Sequence, residues 1–400
     1  MADRRYRRRD VLRLAVASTA LTMVAPRLVL AQAVTDRRFV FVIQRGAADG
    51  LETLLPYADP GYARLRGALA IDPATANKLD GSFALHASLA ETAKLYAAKE
   101  ALFVHAVASP YRDRSHFDGQ NVLETGGSSP YQLKDGWLNR LVAILPRADK
   151  EAIAFAPTVP MALRGSAEVA SYAPSALPQA SDDLILRVSQ LYQGDAQLHA
   201  LWSSAMDTRG IAMDGGNGMA GGARARQDGA SLGKLAAGFL VRVDGPRIAM
   251  IETGGWDTHS AQNARLGVQL RNLDAMVAAL RDGLGDAWSR TVVVVATEFG
   301  RTAAANGTGG TDHGTGAVAM LLGGAVQGGR VLVDWPGLAA GNLYENRDLK
   351  PTNSVDALIA GAAGECFGIE PQRLARTLFP EPGTLPGGAS ARALPRLLRA

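Results

Sequence analysis

The sequence predicts an α/β fold, a mostly parallel central sheet covered by helices on both faces, and three observations predict it. Continuous apolar runs rich in β-branched and aromatic residues recur at strand length, among them Phe39 to Ile43, Ala101 to Val107 and Val292 to Ala296. Helical segments lie between such runs, the βαβ rhythm that builds parallel sheets. Carboxylates and imidazoles stand just beyond several of the runs, where ligands gather in folds of this kind.

Each element follows in order. Phe39 to Ile43 reads as a strand buried on both faces, ending in the loop Gln44-Arg45-Gly46-Ala47-Ala48-Asp49-Gly50. Asp49 is read either as a ligand or as a turn residue before Gly50, and spacing favours the turn. Ser88 is placed to cap a helix running to Lys99, and Ala101 to Val107 is a second strand. Beyond it, Ser115 sits where a helix would start. Its hydroxyl either caps that helix or stands as a nucleophile over an anion drawn to the helix terminus by Arg112 and Arg114. His116 is open between base, ligand and orienting group. A helix bearing Trp137, a strand from Ala152 to Phe155 and a helix from Asp182 to Tyr192 fill the middle, with a proline-punctuated loop from Ala173 to Pro178 between the last two.

Near 214–229 the composition turns to Gly, Ala and Arg without apolar period, which predicts a flexible surface loop inside one domain. Ser231 to Val241 is then a helix leading to the strand that ends at Thr253. Leu266, Leu270, Leu273, Val277, Leu280 and Leu284 recur at three- and four-residue steps and give the next helix one apolar face. Val318 to Leu322 supplies a further strand.

The 400 residues are 47% apolar and 20% charged, which is ordinary globular material and excludes disordered and collagen-like classes. Net charge is +4, but residues 1–33 contribute seven Arg against two Asp, so the chain from Val34 onward comes to −1. The basic character belongs to that leader, and no nucleic-acid partner is expected. Arg8-Arg9-Asp10-Val11-Leu12-Arg13 has the twin-arginine form, an apolar run from Leu14 to Ala25 follows, and Ala31-Gln32-Ala33 offers a cleavage site. The run is too short for a permanent membrane anchor. A 1–33 signal peptide, passage through the twin-arginine translocase, a periplasmic or secreted location and a single domain over 34–400 are therefore expected. Cys366 stands alone, so no intramolecular disulfide forms, and it reads as core.

Two strand ends carry the strongest chemistry. One run reaches Thr253 and continues Gly254-Gly255-Trp256-Asp257-Thr258-His259. The other reaches Thr297 and continues Glu298-Phe299-Gly300-Arg301, then Gly310-Thr311-Asp312-His313-Gly314. Imidazoles and carboxylates together suit a borderline divalent metal such as zinc, manganese or iron, and zinc or manganese is expected above the third. A lone Asp-x-His is weak evidence, and two such clusters at successive strand ends are stronger. His86, His105 and His199 have no carboxylate at ligand spacing and read as structural.

As an ordered set, the leader, Gly-Ala-Ala-Asp-Gly-Leu at 46–51, Arg-Ser-His-Phe-Asp at 114–118, Gly-Gly-Trp-Asp-Thr-His at 254–259, Thr-Glu-Phe-Gly-Arg-Thr at 297–302 and the Thr-Asp-His-Gly region at 311–314 resemble the family called domain of unknown function 1501. The resemblance implies an alkaline phosphatase-like fold within the phosphatase and sulfatase superfamily. It implies metal ligands at Asp257, His259 and His313, with Glu298 and Asp49 completing a second position if two ions bind. It also implies a nucleophile at Ser115 or His116 ahead of Thr125-Gly126; in a hydrolase of this kind Arg114 or Arg301 is expected to hold the anionic oxygens. The pattern departs where the Asp-to-His step is two residues, where Phe299 stands for a usual ligand His, and where no Cys-x-x-x-Arg is present. The expected activity is hydrolysis of a phosphate or sulfate ester, on a small anionic ester or glycan. The alternative is a non-catalytic binding or assembly protein on the same fold.

Overall fold

The first strand shows how the sheet is built, because its side chains divide cleanly between two cores. Phe39, Phe41 and Ile43 enter one apolar cluster and Val40 and Val42 the other, all fully buried. A strand covered on both faces has no solvent side, which is why its sequence is apolar throughout instead of alternating. The computed structural model describes residues 36–146, 152–173, 182–212, 228–381 and 394–399. The leader at 1–33, residues 174–178 of the proline-punctuated loop and the Gly-rich loop up to residue 227 lie outside the described residues.

The strands are β1 (Arg38–Gln44), β2 (Leu54–Leu55), β3 (Asn77–Lys78), β4 (Ala84–Leu85), β5 (Ala101–Ala108), β6 (Ala152–Phe155), β7 (Ala170–Ser171), β8 (Ile248–Thr253), β9 (Thr291–Ala296), β10 (Ala317–Leu322), β11 (Arg330–Leu332) and β12 (Asn353–Ser354). Short β2, β3 and β4 form a separate antiparallel sheet that the apolar pattern does not announce. The other nine join in the order β11-β5-β10-β9-β1-β8-β6-β7, with β12 also on β5. Phe41 of β1 lies opposite Met250 of β8 and Val294 of β9, both pairs parallel. The sheet is mostly parallel, as expected, with β10 antiparallel to both its neighbours. β1 and β5, consecutive as long apolar runs, are not neighbours: β9 and β10 stand between them.

The helices are α1 (Gly50–Thr53), α2 (Gly61–Arg66), α3 (Ala90–Ala97), α4 (His116–Thr125), α5 (Trp137–Ile144), α6 (Asp182–Tyr192), α7 (Ala196–Ala212), α8 (Gly229–Leu240), α9 (Gln262–Leu284), α10 (Val355–Phe367) and α11 (Pro371–Leu378). Side chains of α5, α10 and α11 cover one face of the sheet, and those of α3, α8 and α9 cover the other. Trp137 of α5 meets Phe41 edge-on, with ring centroids 5.0 Å apart. All six apolar residues of the α9 spacing are buried. Cys366 is buried in α10, and burial pushes its thiol up to about 12, which keeps it protonated and unreactive.

One expectation fails in an instructive way. Ser88 does not cap α3, whose N-cap position is Leu89 and makes no side-chain cap. The free N–H groups of Glu91 and Thr92 go instead to the Asp274 carboxylate of α9, at 2.9 and 2.8 Å. A cap supplied by another helix leaves no local trace in sequence. Among the described residues no helix is long and apolar enough to cross a membrane.

Candidate metal centre

At the rim where the parallel strands end, β1 delivers Arg45 and Gly46, β5 leads to His116, β8 leads to Asp257 and His259, and β9 leads to Glu298. His313 reaches the same rim from the other direction. Because β10 runs antiparallel, its beginning lies where the others finish, and His313 precedes it. A short bridge pairs Arg301 with His313 and closes the excursion between β9 and β10. Gly310 is needed in that excursion, since a Cβ there would sit 2.3 Å from the His259 carbonyl carbon.

The reactive atoms converge. His259 Nε2 lies 3.0 Å from His313 Nε2, and Asp257 Oδ1 lies 3.0 Å from the former and 3.3 Å from the latter. Ligand atoms on one edge of a tetrahedral zinc site are separated by about 3.3 Å. His116, Asp257 and His313 form a second triplet sharing two members, with ligand atoms all within 4.8 Å. His116 Nε2 is buried, makes no hydrogen bond, and lies 3.5 Å from Asp257 Oδ2.

Each imidazole is held by its other nitrogen. His116 Nδ1 meets Glu298 Oε1 at 2.9 Å, His259 Nδ1 meets Asp312 Oδ1 at 3.1 Å, and His313 Nδ1 meets the Arg114 carbonyl at 2.9 Å. All three partners can only accept, so Nδ1 carries the proton in each ring and each Nε2 presents a lone pair. Two neutral rings with lone pairs facing each other at 3.0 Å beside a carboxylate repel, and either a proton shared between them or a metal cation among them relieves it. The donor set of three imidazoles and one carboxylate fits zinc or manganese chemically.

The surroundings keep these groups in their roles. Glu298 is fully buried, and burial would raise its pKa. Donors from His116, from Gln120 Nε2 at 3.0 Å and from the Gly46 N–H at 2.8 Å prevail and hold it below the usual range. That hydrogen bond to Glu298 raises His116 in turn. His313 is lowered by burial and by His116 beside it. Burial opposes ionisation of Asp257 too, but the Arg301 guanidinium, 2.5 Å from Oδ1, holds it low. Phe299 stacks on His116 at 5.1 Å and packs on His313 at 5.4 Å. Phe299 therefore forms the apolar floor of the centre.

The structure brings His116, Asp257, His259, Glu298, Arg301 and His313 together. Asp49 it does not: its carboxylate is bound by Arg66 at 2.5 and 3.0 Å, by Gln262, and by the N–H groups of Leu51 and Glu52 as the cap of α1. Glu298, wholly engaged by hydrogen-bond donors, anchors His116. Arg114 turns its guanidinium to Asp348 and Glu345 and offers the centre only its carbonyl. Arg301 is buried between Asp257 and Thr311. Ser115 occupies the N-cap position of α4 without making a side-chain cap, and its N–H donates to the Tyr111 hydroxyl. Among the described residues no hydrogen bond joins Ser115 to His116. Sequence reasoning gives no role to Asp312, Gln120 or Gln262. Asp312 adjoins a quoted His, and the other two lie on helices with no motif around them.

No curated protein matches the chain. Among solved structures it is similar to a putative sulfatase from Bacteroides thetaiotaomicron, at 11% identity over 87% of this chain and 75% of that one, with a TM-score of 0.39. It is similar also to the zinc complex of the C-terminal periplasmic domain of EcEptC from Escherichia coli, at 9% identity over 73% and 74%, TM-score 0.34. Alkaline phosphatase from the Antarctic bacterium TAB5 aligns at 12% identity over 72% of this chain and 91% of its own, TM-score 0.33. Residues 36–378 match the family described as protein of unknown function DUF1501, and the chain belongs to that family.

Proposed function

We propose that the chain is an exported, divalent-cation-dependent hydrolase of phosphate or sulfate esters. The observation that carries the cation is the convergence of three Nε2 lone pairs on Asp257, each ring fixed through Nδ1. His259, His313 and Asp257 would hold zinc or manganese, with His116 beside them. Such a cation supplies Lewis-acid polarisation of an ester oxygen.

The chain's own groups define the rest of the reaction. Ser115 supplies the attacking oxygen: its hydroxyl caps nothing and opens α4 one residue before His116. Attack forms an oxygen–phosphorus or oxygen–sulfur bond to Ser115 Oγ as the bond to the ester oxygen breaks, the hydroxyl proton passing to that oxygen so that it leaves as the alcohol; water then cleaves the bond to Oγ, returns a proton to it and releases inorganic phosphate or sulfate. Glu298 keeps His116 oriented, and Arg301 keeps Asp257 ionised and fixed.

The test pairs two substitutions. His313→Ala is expected to lose bound zinc or manganese, measured by elemental analysis, together with turnover of 4-nitrophenyl phosphate and sulfate. Ser115→Ala is expected to keep the cation and lose turnover. Wild-type protein carrying a full equivalent of cation but turning over neither ester would reject the hydrolase. One observation favours the alternative of a non-catalytic binding or assembly protein: the rim guanidiniums of Arg45, Arg114 and Arg301 are already paired to carboxylates.

A further inference from the structure

A line of hydrogen bonds leads from Asp257 away from solvent into the protein, and the chemistry of each member fixes its direction. Arg301 Nη1 donates to Asp257 Oδ1 at 2.5 Å, and Arg301 Nε donates to Thr311 Oγ1 at 3.1 Å. A guanidinium can only donate, so the Thr311 hydroxyl must accept there and spend its single proton elsewhere. It spends it on Gln262 Oε1, 2.6 Å away, which also accepts from Thr258 Oγ1 at 2.9 Å. The Gln262 amide is thereby oriented with its nitrogen on the far side, where Nε2 donates to Asp49 Oδ2 at 2.7 Å. Asp49 must be ionised to accept everything aimed at it, and Arg66, fully buried, supplies the compensating charge.

Gln262 is the joint of this line. It is fully buried at the first position of α9, and its backbone N–H donates to Gly309 O at 2.9 Å. One residue therefore ties together the loop after β1, the loop after β8 and the excursion between β9 and β10. Nothing in the cation chemistry itself uses Asp49, Arg66, Gln262 or Thr311, yet all four are buried, where polar groups are costly unless they are satisfied.

We infer that Gln262 is a positioning residue for the cation centre: through Thr311 it orients the Arg301 guanidinium, which places the Asp257 carboxylate between His259 and His313. Asp49 serves the centre from a distance, as the anchor of this line. The inference rests on the cation-binding reading above.

The test measures the zinc dissociation constant of the full chain by competition with a chromogenic chelator. It compares the wild type with Thr311→Val, Thr311→Ser and Gln262→Leu. Supporting groups around a metal typically contribute about 10–100-fold in affinity. Thr311→Val, isosteric but without the hydroxyl, and Gln262→Leu are expected to weaken zinc binding by that factor. Thr311→Ser, which restores the hydroxyl, should stay within about threefold of wild type, a rescue that loss of packing would not give. If Gln262→Leu does not fold, the Thr311 pair decides alone. Thr311→Val binding zinc like wild type, or Thr311→Ser losing as much as Thr311→Val, overturns the inference and leaves the cation reading standing. A wild-type chain that binds no zinc overturns both.

Discussion

Glu298 and Gly46 show how much of the centre rests on single atoms. Glu298 Oε1 holds His116 Nδ1 and the Gly46 N–H at once. Glu298→Gln keeps the shape but replaces a carboxylate with an amide that has one acceptor, so His116 loses a charged partner. Its expected effect is a loss of about tenfold or more in zinc affinity, read by chelator competition, with little change in melting temperature. Gly46 has φ +119°, and a Cβ there would lie 2.7 Å from the Asp257 nitrogen. Gly46→Ala therefore drives the backbone against the very residue that bears a ligand oxygen. We expect it to cost several kcal/mol, on the order seen for strained or overpacked sites, and to abolish cation binding in whatever fraction folds. At this scale the sequence exposes identities more readily than roles. Glu298 and His116 are visible as polar residues near strand ends, but only geometry makes one the anchor of the other. Asp49 shows the converse, a carboxylate at a plausible place whose oxygens are all taken by Arg66, Gln262 and backbone N–H groups.

The elements were more legible than their ends. The leucine spacing of α9 correctly marks its buried face, because a helix on a sheet must turn one stripe inward whatever its partners are. Leu270→Ala is expected to cost about 2–5 kcal/mol by denaturant titration, whereas Val268→Ala, on the exposed side of the same helix, should stay within about 0.5 kcal/mol. Equal effects at the two positions would contradict the packing described. Caps and connections follow no such local rule. The N–H groups of α3 are satisfied by Asp274, 183 residues from Glu91, and no pattern around Ser88 could reveal it. Strands β2, β3 and β4 escaped notice for a related reason: two-residue strands show no period.

Over the whole molecule, the mostly parallel sheet followed from fully apolar runs alternating with helices, while strand order and the reversal of β10 did not. Pairing is decided by which connection packs best, and hydropathy does not encode that. The whole-molecule balance of charge also carries a testable pH dependence. Burial pushes Asp356 up to about 7, with Arg112 opposing, and its Oδ1 has no hydrogen-bond partner. A carboxyl whose folded pKa is raised contributes stability that is present below its unfolded pKa and lost as pH rises through the folded value. The native chain should therefore lose stability, on the order of a few kcal/mol, between about pH 4 and pH 7 on this account. Asp356→Asn removes that slope, so its advantage over wild type in urea titrations should be larger at pH 8 than at pH 5. An advantage that does not change with pH would assign the effect to packing.

The reversal of β10 reaches further than its two pairings. Since β9 and β10 are adjacent in chain and in space, Glu298, Arg301, Asp312 and His313 all belong to one hairpin. Half of the rim is thus low in contact order and needs only a short loop closure to assemble, while His116, Asp257 and His259 arrive from remote segments. The hairpin's share of the rim can therefore assemble locally, whereas the donors from remote segments join it only when their strands pair with the sheet.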